Sequence, residues 1–179
     1  MHPAGESCAL SRVRIVLTAV VVGLVSMWVY VLYLAFGPGR QPPIDRLDDP
    51  EFAVAAEDVC STAVADVEAL PVASQSHSAA ERAEVVRRAN GIFAGMLTDL
   101  DDLTTLAPAG DQRDRAERWL ADWDVLLTDR EAYATALSDD PEAQMLVSEK
   151  PGTGQHITGW IDEFALANKM DDCVTPSDA

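Results

Sequence analysis

Residues 15–36 read IVLTAVVVGLVSMWVYVLYLAF, a stretch of twenty-two residues without a charged side chain. With a rise of about 1.5 Å per residue, a helix of this length spans the roughly 30 Å hydrocarbon layer of a bilayer. The stretch therefore predicts one transmembrane helix. It divides the chain into a short N-terminal stub and a longer, polar C-terminal part.

A cleaved signal peptide is the alternative, because it also begins with a short basic segment. Its apolar core is usually only about 7–15 residues long and ends in small residues recognised by the peptidase. Here Trp28, Tyr30 and Tyr33 lie near the far end, where aromatic side chains are typical of the membrane interface. Cys8 precedes the apolar run and so cannot serve as a lipoprotein cysteine. The pattern favours an uncleaved anchor, and the role of Cys8 stays open.

Three small residues recur on one face of the predicted transmembrane helix: Ala19, Gly23 and Ser26. Small side chains with this spacing let two helices approach closely in lipid, so they are a candidate packing face for another membrane helix. The alternative is that the spacing arose by chance.

The basic residues around the apolar stretch bear on its orientation. Arg12 and Arg14 lie on its N-terminal side, and Arg40 and Arg46 lie on its C-terminal side. The count is nearly even, but the first pair lies closer to the membrane, which favours a cytoplasmic N-terminus.

The cysteines of the polar part support the same orientation. Cys60 and Cys173 are the only two there, and an even count outside the cytoplasm suggests a disulfide. Two independent thiols are the alternative. With the disulfide, the chain is a single-pass protein of the cell membrane whose C-terminal domain is extracytoplasmic.

Composition and breakers divide the chain into five parts. The linker is rich in proline and glycine, and the domain that follows is long enough for a hydrophobic core. The predicted parts are a cytoplasmic stub (1–14), a transmembrane helix (15–36), a linker (37–49), a helical domain (50–173) and a tail (174–179).

Apolar residues in the domain recur with helical spacing, and no window alternates with a period of two. Asp49, Ser78 and Asp111 are predicted N-caps, and prolines at 71 and 108 end the first two helices. The pattern predicts an all-α domain of four amphipathic helices over about 50–70, 78–103, 111–137 and 157–170. Mostly short connections favour an antiparallel four-helix bundle.

Composition excludes some classes of function. The chain carries 30 acidic and 13 basic side chains, for a net charge of −17, which repels phosphate backbones and argues against nucleic-acid binding. No paired-cysteine, HExxH, Glu-x-x-His, GxSxG or nucleotide-binding glycine motif occurs. No catalytic residue, metal site or cofactor is therefore predicted.

Several polar residues fall on or beside the predicted apolar stripes and are candidates for buried polar or ligand contacts. They are Arg130, Asn90, Asn168, Asp66 and Tyr133. A buried guanidinium needs a partner, and Asp66 is one candidate. One interpretation is a network that fixes helix register, or an arginine whose head reaches water. The other is a pocket in which Arg130 recognises an anion.

Tryptophans recur on the same stripes. Trp119, Trp123 and Trp160 are predicted to point inwards. They favour a packed core, and the alternative is an apolar ligand cleft.

The stretches WLADWDVLLTDREAYATAL (119–137) and ITGWIDEFALANKMDDCVTP (157–176) resemble uncharacterised actinobacterial single-pass membrane proteins. Those proteins are similar in having one N-terminal helix and an exported helical domain with a cysteine-containing tail. The resemblance implies an envelope location and brings no activity, ligand or catalytic residue.

The sequence therefore favours a non-enzymatic, membrane-anchored interaction module of the cell envelope, with another envelope or membrane protein as its partner. A small-ligand-binding helical domain, with a pocket near Arg130 and the tryptophans, is the alternative. An enzyme of unrecognised type is the third hypothesis.

Overall fold

The computed structural model describes the backbone of residues 6–36 and 44–176, and the side chains of residues 14, 16–33 and 44–176. The first five residues of the predicted stub, the Cys8 side chain, linker residues 37–43 and tail residues 177–179 lie outside the described part. The chain forms two compact units, residues 1–42 and 43–179, which are described separately.

The first unit contains one helix, α1 (Glu6–Phe36). Within it, Val16–Tyr33 has a mean hydropathy of 2.2, and none of this span is buried in the structure. The helix is long and apolar enough to cross a membrane, as predicted, and it begins inside the predicted stub. Ala19, Gly23 and Ser26 are exposed along it, and their role as a packing face stays a prediction.

The second unit is all-helical, which confirms the predicted fold class. Its helices are α2 (Glu51–Glu68), α3 (Ala79–Leu103), α4 (Asp111–Asp139) and α5 (Ile157–Ala167). Short 3-10 turns follow α2, α3 and α5, at Ala73–Gln75, Thr104–Leu106 and Asp171–Cys173. The described residues contain no strand, only an isolated bridge between Glu149 and His156.

Local hydrogen bonds lie at the start of two of these helices. Pro50 is the N-cap of α2, one residue after the predicted Asp49, whose carboxylate accepts a hydrogen bond from the Glu51 N–H (3.0 Å). Ser78 Oγ accepts from the Glu81 N–H (3.1 Å) at the start of α3, which confirms Ser78 as the predicted N-cap. The Glu81 carboxylate returns to the N–H of His77 (2.8 Å).

The predicted cap of α4 is wrong by one residue. Gly110, with a φ of 96°, precedes the helix, and Asp111 is its first residue. Glycine adopts this left-handed conformation without a steric penalty. The Asp111 carboxylate pairs instead with Arg115, one turn further along the helix.

The helices pack in chain order. α3 packs against both α2 and α4, and α4 also packs against α5. Among the described residues, no Cα of α2 lies within 8 Å of a Cα of α4 or α5. Aromatic side chains bridge this gap: the rings of Phe52 and Trp119 lie 6.3 Å apart, and those of Trp119 and Phe164 lie 5.2 Å apart. The Trp119 indole therefore connects the parts of the core that α2 and α5 contribute.

A disulfide joins α2 to the C-terminal segment and confirms the predicted pair. The sulfur atoms of Cys60 and Cys173 are 2.06 Å apart, and both residues are fully buried. Cys173 ends the last 3-10 turn, which packs against α2. The segment after α5 is thus fixed to the first helix of the domain.

The end of α5 differs from the prediction. The helix ends at Ala167, and Lys169 has a φ of 61°, so the backbone turns before residue 170. Asn168 fixes this turn: its Oδ1 accepts from the Leu47 N–H (2.7 Å), and its Nδ2 donates to the carbonyls of Asp45 (3.0 Å) and Phe164 (2.9 Å). Asn168 therefore joins the start of the domain to its last helix.

Asn168→Ala is expected to lower the free energy of unfolding by about 1–3 kcal/mol, because it leaves partly buried backbone groups without partners. Urea unfolding of the full chain in lipid nanodiscs, followed by circular dichroism, measures the change. The exposed neighbour Lys169 is unsuitable for a control substitution, because its backbone φ is positive. Leu166→Ala, on the exposed side of α5, is suitable. Equal stability of the Asn168 and Leu166 variants would contradict the assigned role.

Candidate functional site

A cavity of about 830 Å³ lies between three helices and the C-terminal segment of the domain. The C-terminal half of α2, the N-terminal half of α3 and the C-terminal half of α4 contribute to its wall. Residues of the 71–74 loop and of the 171–176 segment complete it. This volume lies within the roughly 300–1,000 Å³ range of small-molecule sites.

Most of the wall is apolar, because the apolar helix faces predicted from the sequence contribute to it. α2 and α3 contribute residues spaced three, four or seven apart, which lie on one helix face. The main apolar side chains are Val64, Val67, Val85, Val86, Phe93 and Met145. Valines are short and leave space between the helices that longer side chains would fill.

Arg130 lines this cavity and is only 5% exposed. Its Nε donates to Asn90 Oδ1 (2.8 Å), and its guanidinium carbon lies 5.3 Å from the centre of the Phe93 ring. An arginine over an aromatic face is stabilised by the ring quadrupole. Asn90 and Phe93 thus hold a buried positive charge at the cavity wall.

The hydrogen bonding extends from Asn90 towards the surface. Asn90 Nδ2 donates to the Glu131 carboxylate (3.3 Å), which lies 3.7 Å from Arg87 Nε. Arg87 also donates to the carbonyl of Ala134 (3.2 Å). The chain of contacts ties α3 to α4 beside the cavity, and its role in fixing helix register stays a prediction.

Arg82 is the second guanidinium on the wall. It is half-buried, and its Nε is shielded from solvent without a hydrogen-bond partner among the described residues. A buried, unsatisfied donor of this kind costs about 1–3 kcal/mol, and more when it is charged. A ligand acceptor would satisfy it.

Three carboxylates also belong to the wall: Glu68, Asp171 and Asp172. Glu68 and Asp171 are exposed, and Asp172 is partly exposed. Because the acidic side chains are more solvated than Arg130, the wall has a buried cationic part and an acidic part facing solvent.

Two acceptors fix the C-terminal segment where it forms the wall. Both oxygens of Glu57 lie 3.2 Å from the Asp172 N–H, and Asp162 accepts from the N–H (2.7 Å) and hydroxyl (3.2 Å) of Thr175. The neighbouring disulfide at Cys173 adds a covalent link. One side of the cavity is therefore built by the end of the described chain.

Burial raises the pKa of Glu57 above its ordinary value of 4.5, and the negative charges of Asp172 and Asp171 act in the same direction. The backbone hydrogen bond from Asp172 opposes part of this rise. A carboxyl group with a raised pKa binds its proton more tightly in the folded state than in the unfolded state. Its contribution to stability therefore decreases as pH rises from about 4.5 through the folded-state pKa.

Glu57→Gln is expected to reduce this loss of stability with rising pH, because glutamine stays neutral and can still accept from the Asp172 N–H. Unfolding midpoints in urea, measured from about pH 4 to about pH 7, test the expectation. Glu84→Gln, on the exposed face of α3, is the matched control. A Glu57→Gln profile parallel to that of the unchanged protein would contradict it.

The structure brings together three of the five polar residues singled out from the sequence. Arg130 and Tyr133 line the cavity, and Asn90 bonds directly to Arg130. Asn168 bonds to backbone groups elsewhere in the domain, and Asp66 lies on the exposed face of α2. Helical spacing in the sequence thus predicted the residues that α4 contributes to the site.

The tryptophans do not line this cavity. Trp119 and Trp123 are 2% and 1% exposed and belong to the core. Trp119 Nε1 donates to the Ile161 carbonyl (3.2 Å). Lys150 Nζ lies 4.8 Å from the centre of the Trp160 ring, and it also pairs with Asp122 at 2.6 Å. The packed-core interpretation therefore describes Trp119 and Trp123, whereas the prediction for Trp160 is wrong, because this side chain is only partly buried and lies outside the core.

Sequence reasoning missed Arg82 and the 171–176 wall. Arg82 lies four residues before Val86 on α3, so its helical register pointed to the same face. The position of the C-terminal segment follows from the disulfide. The pairing of the two cysteines was predicted, but the cavity beside them was not. Among the described residues, no group of three or more His, Cys, Asp or Glu side chains is placed to hold a metal ion.

Comparison of the chain with models of protein families, with characterised proteins and with solved structures finds no match. The resemblance to actinobacterial single-pass membrane proteins therefore stays a prediction.

Proposed function

We propose that this protein is a membrane-anchored, non-enzymatic accessory module of the cell envelope that binds a small ligand in the cavity between α2, α3 and α4. The observation that carries the proposal is the cavity of about 830 Å³ with a mainly apolar wall and a guanidinium, Arg130, held in place by Asn90. Sites for small ligands combine apolar walls with a few oriented polar groups in this way.

A blocked cavity tests the proposal directly. Val67 lines the cavity, and Val67→Trp is expected to fill it, whereas Val54→Trp places the same side chain on the exposed face of α2. The full chain, extracted from its native membrane into lipid nanodiscs, is analysed by native mass spectrometry. A small molecule retained by the unchanged protein and by Val54→Trp, but not by Val67→Trp, is the expected result. Equal retention of the molecule by the two variants, or no retained molecule in any of the three proteins, would count against cavity binding.

The proposal includes a cytoplasmic N-terminus, one uncleaved transmembrane helix and an extracytoplasmic domain. The exposed apolar span Val16–Tyr33 and the Cys60–Cys173 disulfide support it, because disulfides persist in oxidising compartments. Ser138, at the exposed end of α4, provides a labelling position. A Ser138→Cys variant should react with a membrane-impermeant maleimide in intact cells. Labelling only after lysis would reverse the orientation, and recovery of the protein in the soluble fraction would exclude the anchor.

We further propose that α2 to α5 form an antiparallel four-helix bundle. The packing of successive helices and the Phe52–Trp119–Phe164 ring contacts support this topology. In such bundles, ligand sites lie between facing helices, which agrees with the position of the cavity.

A protein partner in the envelope is the second candidate function. The exposed carboxylates of Asp99, Asp101 and Asp102 near the end of α3, within a chain of net charge −17, favour a basic partner surface. Crosslinking in intact membranes followed by purification of the full chain tests it. Replacement of the three carboxylates by amides should abolish a specific crosslink, and an unchanged crosslink pattern would exclude this surface.

A further inference from the structure

The distribution of charge in the cavity narrows the class of ligand. Building on the proposed function, we propose that the ligand is a small amphiphile with one carboxylate and an apolar tail. Its carboxylate binds at the guanidinium group of Arg82, and its tail lies along the valines of α2 and α3.

The cationic end of the site is defined by Arg82. Arg82 Nε is shielded from solvent and has no acceptor among the described residues, although it lines the cavity. Arg130 contacts Asn90 and the Phe93 ring, about two helical turns further along α3, and is not assigned to the carboxylate. A carboxylate satisfies guanidinium donors with favourable geometry and a single negative charge.

The remaining wall favours an apolar tail. Val64, Val67, Val85 and Val86 present only hydrocarbon to the cavity. A polar ligand body would lose its hydration there without gaining hydrogen bonds. The ligand therefore carries its polarity at one end.

The acidic residues argue against ligands with several negative charges. Glu68, Asp171 and Asp172 belong to the same wall and would repel phosphate groups or nucleotides. One carboxylate can be neutralised by Arg82, whereas additional negative charge on the ligand would be repelled by these side chains. The same residues make a cationic amphiphile the competing possibility that the experiment must separate.

Four eight-carbon probes with the same tail separate these classes: octanoate, octyl phosphate, octylammonium and octanol. Each is titrated into the full chain in nanodiscs of zwitterionic lipid, with empty nanodiscs correcting for partition into lipid. The thermal unfolding midpoint, which rises when a ligand binds the folded state, gives the relative affinities. Octanoate is expected to bind most tightly.

The charge contribution is tested by Arg82→Gln. Hydrogen bonds to charged groups contribute about 1.5–3 kcal/mol, so octanoate affinity is expected to fall by about 10-fold to 100-fold, while octanol affinity stays the same. Arg88→Gln, on the exposed face of the same helix, is the matched control and is expected to leave both affinities unchanged. Because Arg82 is only half-buried, the variant is expected to fold.

The outcomes separate this inference from the proposed function. If octanol, octylammonium or octyl phosphate binds as tightly as octanoate, or if Arg82→Gln leaves octanoate affinity unchanged, the assigned ligand class is overturned. Loss of that binding in Val67→Trp would then still support cavity binding. If none of the four probes raises the unfolding midpoint, the carboxylate assignment is also overturned. The proposed function is then judged separately, by whether the unchanged protein retains a small molecule in native mass spectrometry.

Discussion

Replacing both Cys60 and Cys173 with alanine is expected to lower the free energy of unfolding of the domain by about 4–5 kcal/mol. The cysteines are 113 residues apart in sequence, and a crosslink over such a loop removes much of the conformational entropy of the unfolded chain. A domain with stability in the usual range of about 5–15 kcal/mol would lose a large part of it. Urea unfolding of the full chain in nanodiscs, followed by tryptophan fluorescence, measures the change.

Cys8→Ala is the matched control, because this cysteine precedes the domain. It should leave the unfolding curve unchanged. Adding a reductant to the unchanged protein should reproduce the shift of the double variant, apart from the packing of two buried thiols. A loss below about 1 kcal/mol in the double variant would show that the unfolded chain is constrained by other means.

Trp119→Ala is expected to lower the free energy of unfolding by about 3–5 kcal/mol. The indole is 2% exposed and contacts the rings of Phe52 and Phe164, so its removal leaves a cavity where α2, α4 and α5 meet. Its Nε1 bond to the Ile161 carbonyl would also be lost. Circular dichroism during urea unfolding measures the effect without relying on the tryptophan signal.

Trp119→Phe separates ring packing from the hydrogen bond. It keeps an aromatic ring in the core, and it should cost much less than the alanine variant. Arg118→Ala, at an exposed neighbouring position, should stay within about 0.5 kcal/mol of the unchanged protein. If Trp119→Ala and Arg118→Ala were equally stable, the central position of this indole in the core would be excluded.

The sequence predicted the helices well because their signals are local. Apolar periodicity predicted the four helices of the domain, whose buried residues include Phe52, Leu100 and Ile161, and the N-cap at Ser78 marked the start of α3. The end of α5 was placed three residues too far along the chain. Its stripe continues to Met170, which is buried, but the chain reaches that position through the turn at Lys169 rather than through the helix.

The candidate site was predicted only in part, because a cavity depends on how helices far apart in sequence pack. Helical spacing identified Arg130 and Tyr133 on the inward face of α4 and placed Asn90 beside the facing stripe of α3. No local pattern states whether valines on two helices meet or leave space between them. The unmatched donor of Arg82 is likewise a property of the packed domain, not of its helix alone.

Two parts of the cavity wall differ in how firmly they are held. The 171–176 segment is anchored by a covalent bond and by carboxylate acceptors. The Ala73–Gln75 turn is held by backbone hydrogen bonds of 3.0–3.2 Å and follows Val72, which is 47% exposed. Local opening therefore requires less free energy at the turn than at the segment tied to α2. The amide hydrogens of Gln75 and Ser76 are therefore expected to exchange with solvent faster than that of Cys173.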